Sequence, residues 1–172
     1  MTVMPSATPT ATHTSTPQPT ATSTPVEFII DNVDEEFFST VGAWVLDNSG
    51  LYPSYGPDFV YSLPGTGSNT ATFAPDYPVT ANYEVFIWWG TTPLGASNQV
   101  FTIEHANGST DVTVNFQGAA SEPEWLSLGV YHFEAGTTGT IQTNNAANSF
   151  VGADAIQLVQ TNAPVSTPTP MP

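Results

Sequence analysis

Apolar and polar residues alternate with a period of two along most of the segment 26–160. Within residues 100–116, Phe101 and Ile103 alternate with polar residues, and the same alternation resumes at Val112 after Asn107-Gly108. This pattern is typical of half-buried β-strands, and an Asn-Gly pair supplies the positive φ that a tight hairpin turn requires. The sequence therefore predicts a β-hairpin over residues 100–116.

The segment 83–89 (YEVFIWW) has apolar residues on both faces of a strand. A strand buried on both faces is typical of the interior of a sheet, so we predict a central strand here. No window shows the stripe of apolar residues that an amphipathic helix requires, and turn residues separate the strands at the spacing of a sandwich. The sequence predicts an all-β, single antiparallel β-sandwich. Its other predicted strands are 27–31, 43–46, 59–62, 69–73, 125–133, 139–143 and 150–159.

The two ends of the chain have a different composition. Residues 1–25 contain nine Thr, three Ser and five Pro, and residues 161–172 are similar. Such segments cannot bury a core, and they are typical of extended or disordered linkers. We predict a Thr/Ser/Pro-rich linker at 1–25, one folded domain at 26–160 and a Thr/Pro-rich linker at 161–172. The chain is expected to be part of a longer protein.

Charge excludes several classes of function. The chain of 172 residues has no Lys or Arg and 15 Asp+Glu, a formal net charge of -15. Without cations it cannot neutralise phosphates, which argues against nucleic acid as a partner and against polybasic attachment to membranes. No apolar run is long enough for membrane insertion. The chain has no Cys, so disulfides and thiolate chemistry are excluded as well.

The order and spacing of several short motifs resemble those of a known domain family. The motifs are IIDN at 29–32, GAW at 42–44, YG at 55–56 with Asp58, YEVFIWW at 83–89, FTI at 101–103 with His105 and Asn107-Gly108, residues 112–115, WLSLG at 125–129 with Tyr131 and Phe133, and ADAI at 153–156. Together they resemble the carbohydrate-binding-like domain at the C-terminus of golvesins and in xanthan lyases. The resemblance implies a jelly-roll-like sandwich attached to bacterial enzymes and surface proteins.

Sugar sites combine aromatic faces with polar hydrogen-bonding groups, and the sequence offers candidates for both. Tyr52 and Tyr55 lie in the loop LYPSYGPD, Trp88 ends the predicted central strand, and Trp125 follows Ser-Glu-Pro-Glu. The alternative is that these rings belong to the core, where burying one Trp removes on the order of 200 Å² from water. For Trp44 and Trp89 we favour the core. The four loop or strand-end aromatics are the predicted carbohydrate-binding residues.

Acidic residues raise the question of a metal. Asp31, Asp34, Glu35 and Glu36 form the densest carboxylate group, and oxygen ligands of this kind suit calcium. The alternative is a solvated acidic turn in which Asp31 bonds nearby backbone N–H groups. Calcium is the one cofactor that the sequence suggests. Asp154 lies in a predicted apolar strand, and we expect it to bond a backbone group or a hydroxyl.

The sequence gives little support for catalysis. It has no Gly-x-Ser-x-Gly motif, and His105 and His132 lie inside predicted strands. Together with the resemblance and the loop aromatics, this predicts a non-catalytic, carbohydrate-binding accessory module of a larger secreted or cell-surface bacterial protein. Its expected partners are a polysaccharide and neighbouring domains of the longer chain. The alternative is a structural spacer or protein–protein assembly domain of an extracellular protein.

Overall fold

The computed structural model describes residues 25–52, 54–162 and 165, and this part of the chain forms strands and no helix. The all-β prediction is confirmed. The twelve strands in the described residues are β1 (Glu27–Asp31), β2 (Phe38–Val41), β3 (Val45–Asp47), β4 (Phe59–Ser62), β5 (Thr70–Phe73), β6 (Ala81–Trp89), β7 (Gln99–His105), β8 (Gly108–Val114), β9 (Glu124–Phe133), β10 (Thr140–Asn144), β11 (Val151–Ala153) and β12 (Ala155–Thr161).

Two antiparallel sheets form the sandwich. One has the strand order β1-β12-β6-β9 and the other β2-β5-β10-β7-β8. Their alternate side chains point towards each other: Val85 and Ile156 from the first sheet share one buried cluster with Phe101 and Ile141 from the second. Strand β6 lies inside its sheet, as its apolar sequence predicted. The jelly-roll-like β-sandwich is thereby confirmed.

A third, smaller sheet has the order β11-β4-β3. Gln99 joins this sheet to β7. Its fully buried amide donates from Nε2 to the Gly152 carbonyl at 2.6 Å, and its Oε1 accepts from the Gly152 N–H at 3.1 Å. Since a buried amide left without partners destabilises a fold, this pair of bonds fixes β11 against the sandwich.

Asp154 stands where the chain passes from one sheet to another. The residues before it form β11, which pairs with β4, and the residues after it form β12, which pairs with β1 and β6. We predicted one continuous strand over 150–159, and that prediction is wrong at this residue. The interruption frees the backbone to turn between sheets, as strands at the corners of sandwiches do.

The hairpin over 100–116 is present, with a turn that differs from the prediction. The two loop residues are Ala106 and Asn107, because His105 pairs with Gly108. Gly108 alone of this group has a positive φ, of 121°. The turn therefore depends on the conformational freedom of glycine at the first position of β8, not at Asn107.

The predicted linkers at 1–25 and 161–172 lie almost entirely outside the described residues, so they stay predictions. Within the described part, no helix is long and apolar enough to cross a membrane.

Candidate functional site

A cavity of about 400 Å³ is lined by residues of the small sheet together with residues of both large sheets. Its walls come from β4, the end of β6, the break between β11 and β12, and the loops 90–95 and 116–123. Eight aromatic rings line it: Tyr52, Phe59, Tyr61, Phe73, Trp88, Phe101, Phe116 and Phe150. Polar groups at its walls include Asp47, Thr91, Thr92, Ser121 and Asp154. An aromatic cavity of this size with a few polar groups is typical of a small-molecule or sugar site.

Backbone hydrogen bonds hold the two loops of the cavity together. The Thr92 N–H donates to the Phe116 carbonyl at 2.9 Å, and the Phe116 N–H donates to the Ala96 carbonyl at 2.7 Å. Gly95 sits so close to the Phe116 carbonyl that a Cβ at this position would overlap it. Only glycine fits there, and the close approach keeps the walls of the cavity in place.

Two of the four predicted sugar-binding aromatics line the cavity. Trp88 follows the buried Ile87 on β6 and is half-buried at the end of that strand. Its indole Nε1 is buried and has no hydrogen-bond acceptor. Tyr52 is half-buried in the loop before β4, where its ring lies edge-on to Phe59 with a centroid separation of 6.4 Å. Both rings are therefore placed where a ligand in the cavity would contact them.

The other two, Tyr55 and Trp125, pack against Trp88. The ring centroids of Tyr55 and Trp88 lie 5.6 Å apart, those of Tyr55 and Trp125 5.3 Å, and those of Trp88 and Trp125 5.1 Å. We call these three rings the aromatic triad. Strand pairing builds it, because Trp88 of β6 lies directly opposite Trp125 of β9. A register shift after Val85 sets that pairing, so the local irregularity aligns two side chains of the site.

Asp154 lies at the break between β11 and β12, which we call the sheet switch, and it contacts the aromatic triad through Tyr55. Its Oδ2 accepts a hydrogen bond from the Tyr55 N–H at 2.9 Å, whereas its Oδ1 is buried without a donor. The backbone partner matches what the sequence led us to expect. Burial raises the pKa of Asp154 to about 8, and the nearby charges of Asp31 and Asp58 act in the same direction. A carboxyl with this pKa is mostly protonated at neutral pH unless a cation compensates its charge.

Asp31 and Asn32 lie beside Asp154. Asp31 ends β1 directly opposite Ala155, the residue after Asp154. Asp31 is only 8% exposed, and burial together with the charges of Asp34 and Asp58 raises its pKa against opposing backbone hydrogen bonds from Asn32 and Val33. Asn32 is 9% exposed and donates from Nδ2 to Asp58 Oδ1 at 2.6 Å. Asp31 Oδ1 and Asn32 Oδ1 are both buried without a hydrogen-bond donor.

The four predicted calcium ligands do not all lie beside Asp154. Asp31 is buried, but Asp34, Glu35 and Glu36 are exposed. Asp34 Oδ2 accepts the Asp31 N–H at 2.9 Å and so stabilises the turn after β1. In residues 25–52, 54–162 and 165, no group of three or more Asp, Glu, His or Cys side chains has the arrangement of a metal site. Calcium on these four residues stays a prediction.

Both described histidines lie away from the cavity. His105 on β7 contacts Thr110 Oγ1 at 3.0 Å, and its ring lies 5.1 Å from that of Tyr131. Burial lowers the pKa of His105. His132 on β9 contacts Asn82 Oδ1 at 2.8 Å. Each imidazole is thus bound to a neighbouring strand.

Sequence patterns did not identify most of the residues that line the cavity. Phe59, Tyr61, Phe116 and Phe150 were assigned to strands or strand ends, and nothing in their local pattern showed that they would meet. The Gly-Thr-Thr-Pro segment at 90–93 was the available signal, since such a loop after a central strand often borders a site.

The fold is a β-sandwich similar to those of carbohydrate-binding modules. CBM35 from Cellvibrio japonicus Abf62 superposes with a TM-score of 0.59 at 14% identity, over 83% of this chain and 99% of that one. The chain belongs to the Golvesin C-terminal domain family, whose model matches residues 28–160. The resemblance found in the sequence is confirmed.

Xanthan lyases contain a domain similar to this chain. The xanthan lyase of Bacillus sp. (strain GL1) is 28% identical over 136 residues, which are 76% of this chain and 14% of that protein. The structure of a Paenibacillus xanthan lyase matches with a TM-score of 0.72 and 34% identity, over 78% of this chain and 13% of that one. The chain thus spans about one seventh of the length of these relatives.

Proposed function

We propose that this domain is a non-catalytic carbohydrate-binding module that holds a polysaccharide segment in the aromatic cavity. The observation that supports this most strongly is the convergence of Tyr52 and Trp88 on one cavity, with Tyr55 and Trp125 packed behind Trp88. Aromatic faces contact the C–H faces of sugar rings, and Asp47, Thr91 and Ser121 offer hydrogen-bonding groups at the walls.

The proposed setting is a larger secreted or cell-surface protein. The similarity to a part of xanthan lyases and the fold of separate carbohydrate-binding modules both support an accessory role in a longer chain. The Thr/Pro-rich ends would then act as spacers between this domain and its neighbours.

The charges of the chain favour a neutral polysaccharide. Asp47 and Asp154 are the acidic residues that line the cavity, and the whole chain has no Lys or Arg to pair with a uronate or another acidic group. An acidic sugar would bring its charge next to these acidic groups without a cation to compensate it, and like charges repel. Hence we propose glycans without acidic groups as ligands.

This proposal predicts a clear selectivity in affinity electrophoresis. The full chain is run through gels that contain neutral glucans, mannans, galactans or xylans, and through gels with anionic xanthan, pectin or alginate. We expect retardation by at least one neutral polysaccharide and none by the anionic ones at low salt. Retardation by the anionic polysaccharides alone would contradict the choice of ligand, and no retardation by any would count against carbohydrate binding.

A second candidate function is an assembly domain, favoured by an exposed apolar edge. Val41 on β2 is 64% exposed, and Val45 and Leu46 on β3 are 48% and 54% exposed. Both strands are at the edges of their sheets, where another chain can pair or pack. In sedimentation velocity over a range of concentrations we expect a monomer. A dimer that the double substitution Val41→Thr and Leu46→Thr dissociates would favour assembly instead.

A further inference from the structure

Three side-chain oxygens at the sheet switch are buried and have no hydrogen-bond donor. They are Asp31 Oδ1, Asn32 Oδ1 and Asp154 Oδ1. An oxygen in this state loses the solvation of water and receives nothing in return, which is costly and rare in folded proteins. The register of β1 and β12 places Asp31 opposite Ala155, the residue after Asp154, and the charge of Asp31 acts on Asp154.

The surrounding charges make the place strongly negative. Asp58 acts electrostatically on both Asp31 and Asp154, and Asp34 acts on Asp31. The chain has no Lys or Arg to balance these carboxylates, and the imidazoles of His105 and His132 contact Thr110 and Asn82 instead. A bound cation would satisfy the three oxygens and compensate the charge at the same time.

The orientation of Asn32 supports the same conclusion. Its Nδ2 donates to Asp58 Oδ1 at 2.6 Å. The amide oxygen must therefore be the other terminal atom, which is buried and lacks a donor. Asp31 and Asn32 are each more than nine-tenths buried, so solvent does not serve these oxygens instead.

We propose that Asp31, Asn32 and Asp154 bind a calcium ion through these oxygens. Carboxylate and amide oxygens are the ligands that calcium takes, and its six to eight ligands can include backbone carbonyls and water. Two carboxylates and one amide make a set that differs from the predicted group of Asp31, Asp34, Glu35 and Glu36. Magnesium is less suitable, because it demands near-ideal octahedral geometry and gives up its waters reluctantly.

The ion would also stabilise the loop that presents Tyr55. Asp154 accepts the Tyr55 N–H through its second oxygen, and a Cβ at Gly56 would overlap Asp31 Oδ2. Two of the three proposed ligands therefore contact adjacent residues of this loop. Calcium bound between them would fix Tyr55 in its packing against Trp88 and Trp125.

Calorimetry of the full chain tests this site without reference to any sugar. The chain is freed of metal with a chelator and then melted at slightly alkaline pH with and without millimolar calcium. We expect calcium to raise the melting temperature by at least about 5 °C, since a ligand that binds only the folded state stabilises it. Titration calorimetry of the metal-free chain with calcium should show saturable binding, and the fluorescence of Trp88 and Trp125 should change with it.

Substitutions locate the ion. Asp31→Asn and Asp154→Asn keep the size of the side chain and remove one carboxyl group. Each should abolish the calcium-dependent rise in melting temperature. Glu35→Gln and Glu36→Gln change exposed carboxylates of the same acidic segment and should leave it intact. An unchanged melting temperature together with no heat of calcium binding would overturn the proposal. So would a rise that the Glu35 and Glu36 variants lose and the Asp154 variant keeps.

Discussion

Substituting Trp88 by alanine is expected to abolish measurable binding of the polysaccharide. Trp88 is the member of the aromatic triad that lines the cavity, and it contacts both Tyr55 and Trp125, so its removal deletes a wall of the cavity and breaks up the triad. Central aromatic residues of binding sites typically contribute about 2 kcal/mol or more, which corresponds to a loss of affinity of about 30-fold or greater. Titration calorimetry with an oligosaccharide of the retained polymer measures this loss.

Tyr52→Ala separates binding from stability, because Tyr52 is half-buried in a loop and its described ring contact is with Phe59. We expect a loss of affinity of roughly tenfold with little change in the melting temperature. Leu51→Ala is the matched control, since Leu51 is the adjacent residue, is 79% exposed and does not line the cavity. Full affinity in the Tyr52 and Trp88 variants would show that the sugar binds elsewhere.

The second large effect is a dependence of stability on pH that Asp154 causes. Its pKa is about 8 in the folded protein and near 3.8 in the unfolded chain. Between these values the folded state keeps a proton that the unfolded state has lost. The contribution of Asp154 to the free energy of unfolding should therefore be highest below about pH 4. This contribution should fall as pH rises towards 8, by at most about 1.4 kcal/mol per pH unit.

Thermal melts in the presence of a chelator, from about pH 4 to about pH 9, measure this slope. Asp154→Asn should flatten it and raise the melting temperature at pH 8, since the neutral amide cannot acquire the buried charge. Its oxygen can still accept the Tyr55 N–H. A smaller slope of the same sign should remain from Asp31, whose pKa is also raised. The exposed Glu36→Gln is the control. A parallel profile for Asp154→Asn and the unmodified chain would disprove the assignment.

Stability at neutral pH and the proposed calcium site depend on the same carboxyls. Without metal, Asp154 avoids a buried negative charge by keeping a proton. With calcium, the ion compensates the charge and the proton leaves, so calcium should stabilise the fold more at pH 8 than at pH 5. The two experiments together distinguish a proton from a cation as the partner of this carboxyl.

Local alternation of side chains was enough to predict most strands, because each half-buried strand shows a period of two. Strand β2 (Phe38–Val41) was missed, since three of its four residues are exposed and no alternation marks it. The break at Asp154 was missed for the opposite reason, because the apolar pattern continues through it from β11 into β12. A change of sheet partner leaves no trace in the local pattern.

The site was predictable residue by residue but not as an arrangement. Tyr52, Tyr55, Trp88 and Trp125 were chosen for their loop or strand-end positions. Trp88 and Trp125 meet because β6 and β9 pair there, and Tyr55 joins them from the loop before β4. The acidic residues show more clearly that sequence patterns do not predict which side chains meet. Sequence density pointed to Asp34, Glu35 and Glu36, whereas the residue beside Asp31 is Asp154, brought there by the pairing of two strands far apart in the chain.

The most direct test of the account is to observe where a bound sugar lies. The indole N–H resonances of a nitrogen-15-labelled chain are assigned by single Trp→Phe substitutions and followed while an oligosaccharide is added. We predict that the Trp88 resonance shifts with saturation and that Trp44, which does not line the cavity, stays unchanged. A sugar that binds without moving the Trp88 resonance would contradict the claim that the aromatic cavity is the carbohydrate site.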